Sequence, residues 1–324
     1  MIIDSHAHLV PPDLIEEIKD VSSNFPSIEI ISSNKSISFS FLKNKSTRPI
    51  SNKLFDVQER INWMDKQNIT LQVVGGWVDM FGYQIPVEEG IRWSEMINRH
   101  LKVFSDQSNG RFLPLATLPM QDGKAAAMVL DDIHKQGFKG VMIGTQPKGV
   151  GGVLDDPSLT PFWESADKNR SILFIHPMFD SGDTRVDDYG MNNAVGRITD
   201  TMIAVSRIIY SGHIERYRNA RVVIGMGGAG LPYIIGRLMH NFKLHEETLC
   251  DPKLALSSMY YDTVIHDPSA LSFLIEKVGY ERVMLGSDMP FPIGDLQPKN
   301  ILTNLENEKR LSILFETSKK LFSL

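Results

Sequence analysis

The 324-residue chain has one cysteine, Cys250. That excludes an intramolecular disulfide framework and suits a reducing compartment. Long apolar runs are missing too. Stretches such as "SILFI" and "VVIG" fall far short of the ~20 residues that cross a bilayer. The opening "MIIDSHAHLV" breaks any apolar core with an aspartate and two histidines, so no signal peptide is expected and the chain is expected to be cytoplasmic. No Lys/Arg block occurs and the formal net charge is −5. This mild acidity offers nothing to nucleic acid or to a membrane surface. The phosphate-loop pattern GxxxxGK[ST] is absent as well. The glycines of "GMGGAG" at 225–230 lack a dinucleotide-binding context and are read as a close backbone approach.

What is present is an alternation. Short β-branched runs at 2–6, 70–75, 112–117, 140–144, 171–176, 221–226, 259–264 and 283–288 read as strands. Amphipathic stretches at 56–67, 88–107, 123–136, 159–169 and 268–279 read as helices. Continuously apolar strands separated by helices argue for a parallel sheet with a helical cover. Eight of them in a chain that is 42% hydrophobic predict an α/β fold of the (β/α)₈ barrel type in one domain, 1–324. A doubly wound open sheet is the alternative. Residues 21–53, rich in Ser, Asn and Lys with period-2 segments "SIEIIS" and "SISFSF", predict a small β-hairpin insertion followed by a loop. Residues 178–196 predict a polar loop of the lid or substrate type after the fifth barrel strand.

The chemistry concentrates at strand ends. Residues two apart on a strand point the same way, so His6 and His8 at the end of the first strand can converge on one ion. "LFIHP" sets His176 at the end of the fifth strand, and "LGSDMPFP" sets Asp288 at the end of the eighth. Singly, each has a structural explanation: a packed histidine, or a helix-capping aspartate. In a barrel, however, these C-terminal strand ends meet on one face. Three imidazoles and a carboxylate suit a divalent ion, Zn²⁺ above all. His266 in "VIHDP" either lines the pocket or enters the next helix. His100, His134, His213, His240 and His245 are assigned to surfaces or packing, and Lys148 to a loop.

The ordered segments "IIDSHAHLVP", "LATLPMQ", "GFKGVMIGT", "LFIHP", "GGAGLPYIIGR", "YYDTVIHDP" and "VMLGSDMPFPIGDLQP" resemble the amidohydrolase superfamily, and within it the branch that decarboxylates 2-amino-3-carboxymuconate-6-semialdehyde. The resemblance implies His6, His8, His176 and Asp288 as ligands of a single ion. It implies Arg48 and Arg237 as contacts to a small carboxylate substrate. Arginine suits that task through its planar fork. Because the family places the second arginine near a neighbouring subunit's site, a homodimer is implied.

Two positions depart from the family. A histidine taken to be the acid/base stands there where this chain has Met226, and a tryptophan near substrate stands at Asn193. A thioether has no titratable proton. Three readings follow. The enzyme decarboxylates without that histidine, since Zn²⁺ brings its water's pKa to about 7 and Asp288 takes the proton. Alternatively, it hydrolyses or hydrates a related carboxylated compound, or it binds metal with little activity.

Overall fold

The computed structural model describes residues 1–20, 22–33, 36–44 and 46–324. Val21, Asn34, Lys35 and Lys45, all within the 21–53 insertion, lie outside the described residues. Among the described residues ten strands are formed: β1 (Ile3–His8), β2 (Ile28–Ser33), β3 (Ser36–Phe41), β4 (Leu71–Gly75), β5 (Phe112–Pro114), β6 (Gly140–Gly144), β7 (Ile172–His176), β8 (Arg221–Ile224), β9 (Tyr260–Asp262) and β10 (Val283–Met284). Apart from the hairpin strands β2 and β3, all pair in parallel, in the orders β1-β4-β5 and β6-β7-β8-β9-β10.

The two sheets join into a closed barrel at both seams. Ala116 bridges Val141, with hydrogen bonds from Ala116 N to Gly140 O (3.1 Å) and from Met142 N to Ala116 O (2.9 Å). At the other seam Ala7 bridges Met289, Ser5 N donates to Leu285 O (2.7 Å), and Asp288 N donates to His6 O (2.8 Å). An open doubly wound sheet has no such closure. Some strands are shorter than the sequence pattern predicts, 112–114 against 112–117 for example. The pairing with β4 ends where Leu115 N donates to Val74 O (2.8 Å), and Ala116 pairs with Val141 instead.

β1 and β7 are buried along their whole length, because one side faces the barrel interior and the other the helical cover. Some of the helices start at capping aspartates. Asp56, Asp122 and Asp267 accept backbone N–H groups at the heads of Val57–Lys66, Gly123–Lys135 and Pro268–Val278. The hairpin registers Ile28 against Phe41 and Ser33 against Ser36. Its Phe39 and Phe41 pack with Phe25 on Trp93 in a second apolar cluster beside the barrel. The loop after β7 is less irregular than its composition suggests. Asn192–Gly196 already turns helically and runs into the helix Arg197–Tyr210. No helix among the described residues is long and apolar enough to cross a membrane.

Candidate metal centre

His6, His8, His176 and Asp288 converge where strand parity and strand ends predict. One donor atom from each lies within 4.8 Å of the others, and all four residues are buried. The three imidazoles meet edge to face, with centroids 4.7–5.3 Å apart. Phe174 packs 4.7 Å from the ring of His6 and Phe291 4.9 Å from that of His8.

Backbone and side-chain acceptors occupy the Nδ1 edge of every ring. His6 Nδ1 donates to Asp262 Oδ2 at 2.5 Å, His8 Nδ1 to the Gly76 carbonyl at 3.2 Å, and His176 Nδ1 to the Pro177 carbonyl at 2.8 Å. That fixes the proton on Nδ1 and turns the Nε2 lone pair inward. His6 Nε2, His8 Nε2 and Asp288 Oδ1 are then buried acceptors without a hydrogen-bond partner. Asp288 Oδ1 lies 3.2 Å from His8 Nε2 and 3.6 Å from His6 Nε2. Three electron pairs aimed at one buried point repel unless a cation lies between them, so the residues present fit a divalent ion. Burial lowers the pKa of His8 and takes that of His176 well below its ordinary value, leaving both neutral, the form that ligates. Burial pulls His6 the same way, but the bond to Asp262 leaves its pKa raised. The Asp262 carboxylate is itself held by Gly227 N (2.9 Å) and Val264 N (3.1 Å).

The other residues singled out from the sequence divide. Arg48 reaches the site's edge. Its Nε and Nη2 both donate to Asp79 Oδ2 at 3.2 Å, and its guanidinium lies 4.1 Å from the Phe179 ring. Asn193 accepts from Arg197 Nη1 at 3.2 Å. Arg237 is exposed on the helix Leu231–Leu244, and His266 is exposed with φ 63° just before the cap Asp267. Neither makes a recorded contact with the ligands among the described residues. Met226 is half-buried with φ 54° at the start of a turn whose next four residues, Gly227 to Gly230, are also left-handed. Lys148 pairs with Asp156 on the surface.

Three residues escaped the sequence reading. Asp262 ends β9 as Asp288 follows β10, so its strand-end position was a usable signal. Asp79 follows β4 and is buried, which raises its carboxyl pKa against the pull of Arg48 and Arg197. Arg197 opens a helix, and nothing in the sequence separates it from the chain's other helical arginines.

A profile of the amidohydrolase family matches residues 3–322. The 2-amino-3-carboxymuconate-6-semialdehyde decarboxylase of Dictyostelium discoideum is 30% identical over 314 residues, covering 94% of this chain and 86% of that protein. The crystal structure of 5-carboxyvanillate decarboxylase from Sphingomonas paucimobilis superposes with a TM-score of 0.82 at 21% identity, over 100% of this chain and 99% of that one. The 5-carboxyvanillate decarboxylase from Novosphingobium aromaticivorans, complexed with manganese and 4-hydroxy-3-methoxy-5-nitrobenzoic acid, gives a TM-score of 0.82 at 18% identity, over 100% and 96% of the two chains.

Proposed function

The chain belongs to the amidohydrolase family, and on that premise we propose that it is a metal-dependent decarboxylase of a small carboxylated substrate. The observation that carries this reading is the set of three buried, unpartnered acceptor atoms at the mouth of the barrel. An ion held there, zinc by its three imidazole donors and manganese as the alternative, supplies Lewis acidity toward a substrate oxygen.

The chain's own groups do the rest. Asp262 and the carbonyls of Gly76 and Pro177 keep the three rings from turning. Phe174 and Phe291 wall the ligands against water. Arg48, fixed by Asp79 and stacked on Phe179, orients the substrate carboxylate. With methionine at 226, proton transfer would fall to Asp288, whose second oxygen would take a proton from water and return it to the carbon that loses carbon dioxide. The same reading takes 1–324 as one unit that acts as a homodimer, exposed Arg237 serving the site of a second copy. Met226 also favours a second reading, hydrolysis or hydration of a related carboxylated compound with Asp288 as base, because water activation needs no strong acid at 226.

The test is product analysis on the metal-loaded protein with 2-amino-3-carboxymuconate-6-semialdehyde and with hydroxybenzoates. Carbon dioxide release that stops on chelation and returns with metal is expected. Acid release without carbon loss selects the hydrolytic reading. Neither product from any of these acids leaves a metal-binding protein without this activity.

A further inference from the structure

Arg197 is 5% exposed, yet among the described residues it forms no ion pair. Its Nη1 donates to Asn193 Oδ1, while Nε and Nη2 are buried without a partner. A buried guanidinium is ordinarily paired, because its desolvation is otherwise uncompensated. Its surroundings place it at the metal centre. It lies 5.1 Å from the Phe179 ring, on which Arg48 also stacks. Arg48 in turn lies 5.9 Å from the Phe291 ring, which packs 4.9 Å from the ring of the ligand His8.

Arg48 differs. It is more exposed, and two of its nitrogens are already committed to Asp79. Neither Asp79 nor Asp288 hydrogen-bonds to Arg197 among the described residues. The free Nε and Nη2 form one edge of a planar fork, the edge that grips two oxygens of a carboxylate.

We propose that Arg197 is a substrate-binding residue that holds a carboxylate of an aromatic or similarly planar acid against the metal face, with Asn193 setting the fork and Phe179 flooring it. This rests on the reading of the substrate as a carboxylated acid, and it sets Arg197 beside Arg48, the residue to which the family resemblance gives the carboxylate contact, as a second grip. Asn193 thereby acquires a role: a smaller, polar residue in place of a large ring leaves room for the arginine and supplies its single anchor.

Calorimetric titration of the zinc-loaded protein with benzoate and, as a neutral control, benzamide tests the proposal. Arg197→Gln is expected to weaken benzoate binding about ten- to a hundredfold, the worth of charge-assisted hydrogen bonds. Arg197→Lys should recover part of it. Benzamide affinity and zinc content should stay unchanged. Asn193→Ala, which keeps the charge and frees the fork, is expected to cost severalfold, and it decides the matter should Arg197→Gln fail to fold. Benzoate affinity within twofold of the parent in the folded variants, or no saturable benzoate binding at millimolar concentration, overturns the proposal. If the parent releases no carbon dioxide while benzoate binding still depends on Arg197, the decarboxylase reading falls and this one stands. If carbon dioxide is released and Arg197→Gln leaves benzoate affinity and kcat/KM unchanged, the reverse holds.

Discussion

Asp262 Oδ2 lies 2.5 Å from His6 Nδ1, with both residues wholly buried and the carboxylate's other oxygen held by two backbone N–H groups. A carboxylate in that position fixes the tautomer and raises the basicity of the ring as a ligand. Asp262→Asn keeps the shape but removes the charge. It is expected to weaken metal binding by roughly 10- to 100-fold, measured by competition with a chromophoric chelator. Unchanged affinity would show that Asp262 only packs.

Metal and folding should be coupled. The inward lone pairs repel in the metal-free fold, and a ligand that binds the folded state alone stabilises by about 2.7 kcal/mol at a hundred times its Kd. Zinc in excess is therefore expected to raise Tm by several degrees over chelator-treated protein. His8→Ala should abolish the rise. A Tm indifferent to metal in the parent contradicts the site.

Met226→His asks whether the altered strand end limits the chemistry. Histidine enters the left-handed region, where this residue sits at φ 54°, several-fold more readily than most non-glycine residues, so the variant should fold. A positioned acid/base is worth about 10²–10⁴-fold. A gain on that scale in carbon dioxide release from 2-amino-3-carboxymuconate-6-semialdehyde is expected if this is the substrate class. An unchanged rate points to a different acid.

His213, packed 5.2 Å from the Trp163 ring, provides a pH signature of its own. Burial lowers its pKa below 6.5, with Arg216 acting in the same direction and Asp155 opposing. A depressed histidine pKa means that the unfolded chain takes up the proton first. Stability therefore falls as pH drops below about 6.5 and stops falling once the folded form also titrates. The slope due to one proton cannot exceed about 1.4 kcal/mol per pH unit. His213→Asn should flatten the decline of Tm between pH 7 and 5 relative to the parent. Parallel Tm curves would refute the assignment.

Much of this molecule is written in local chemistry. Alternate residues of a strand share a face, so His6 and His8 had to project together, and the apolar runs ending in His176 and Asp288 had to reach the same rim once eight strands closed. The hairpin at 28–41 followed from its period of two. These features depend on neighbours a few residues apart, which a sequence shows directly. The closing of the barrel at Ala116 and Ala7, the Asp262–His6 bond across 256 positions, the capture of Arg48 by Asp79, and the burial of Arg197 against Phe179 were decided by tertiary packing alone. Each joins loops or strand ends with no common period, so their partners are set by how the rim packs. The same packing leaves Arg237 and His266 exposed.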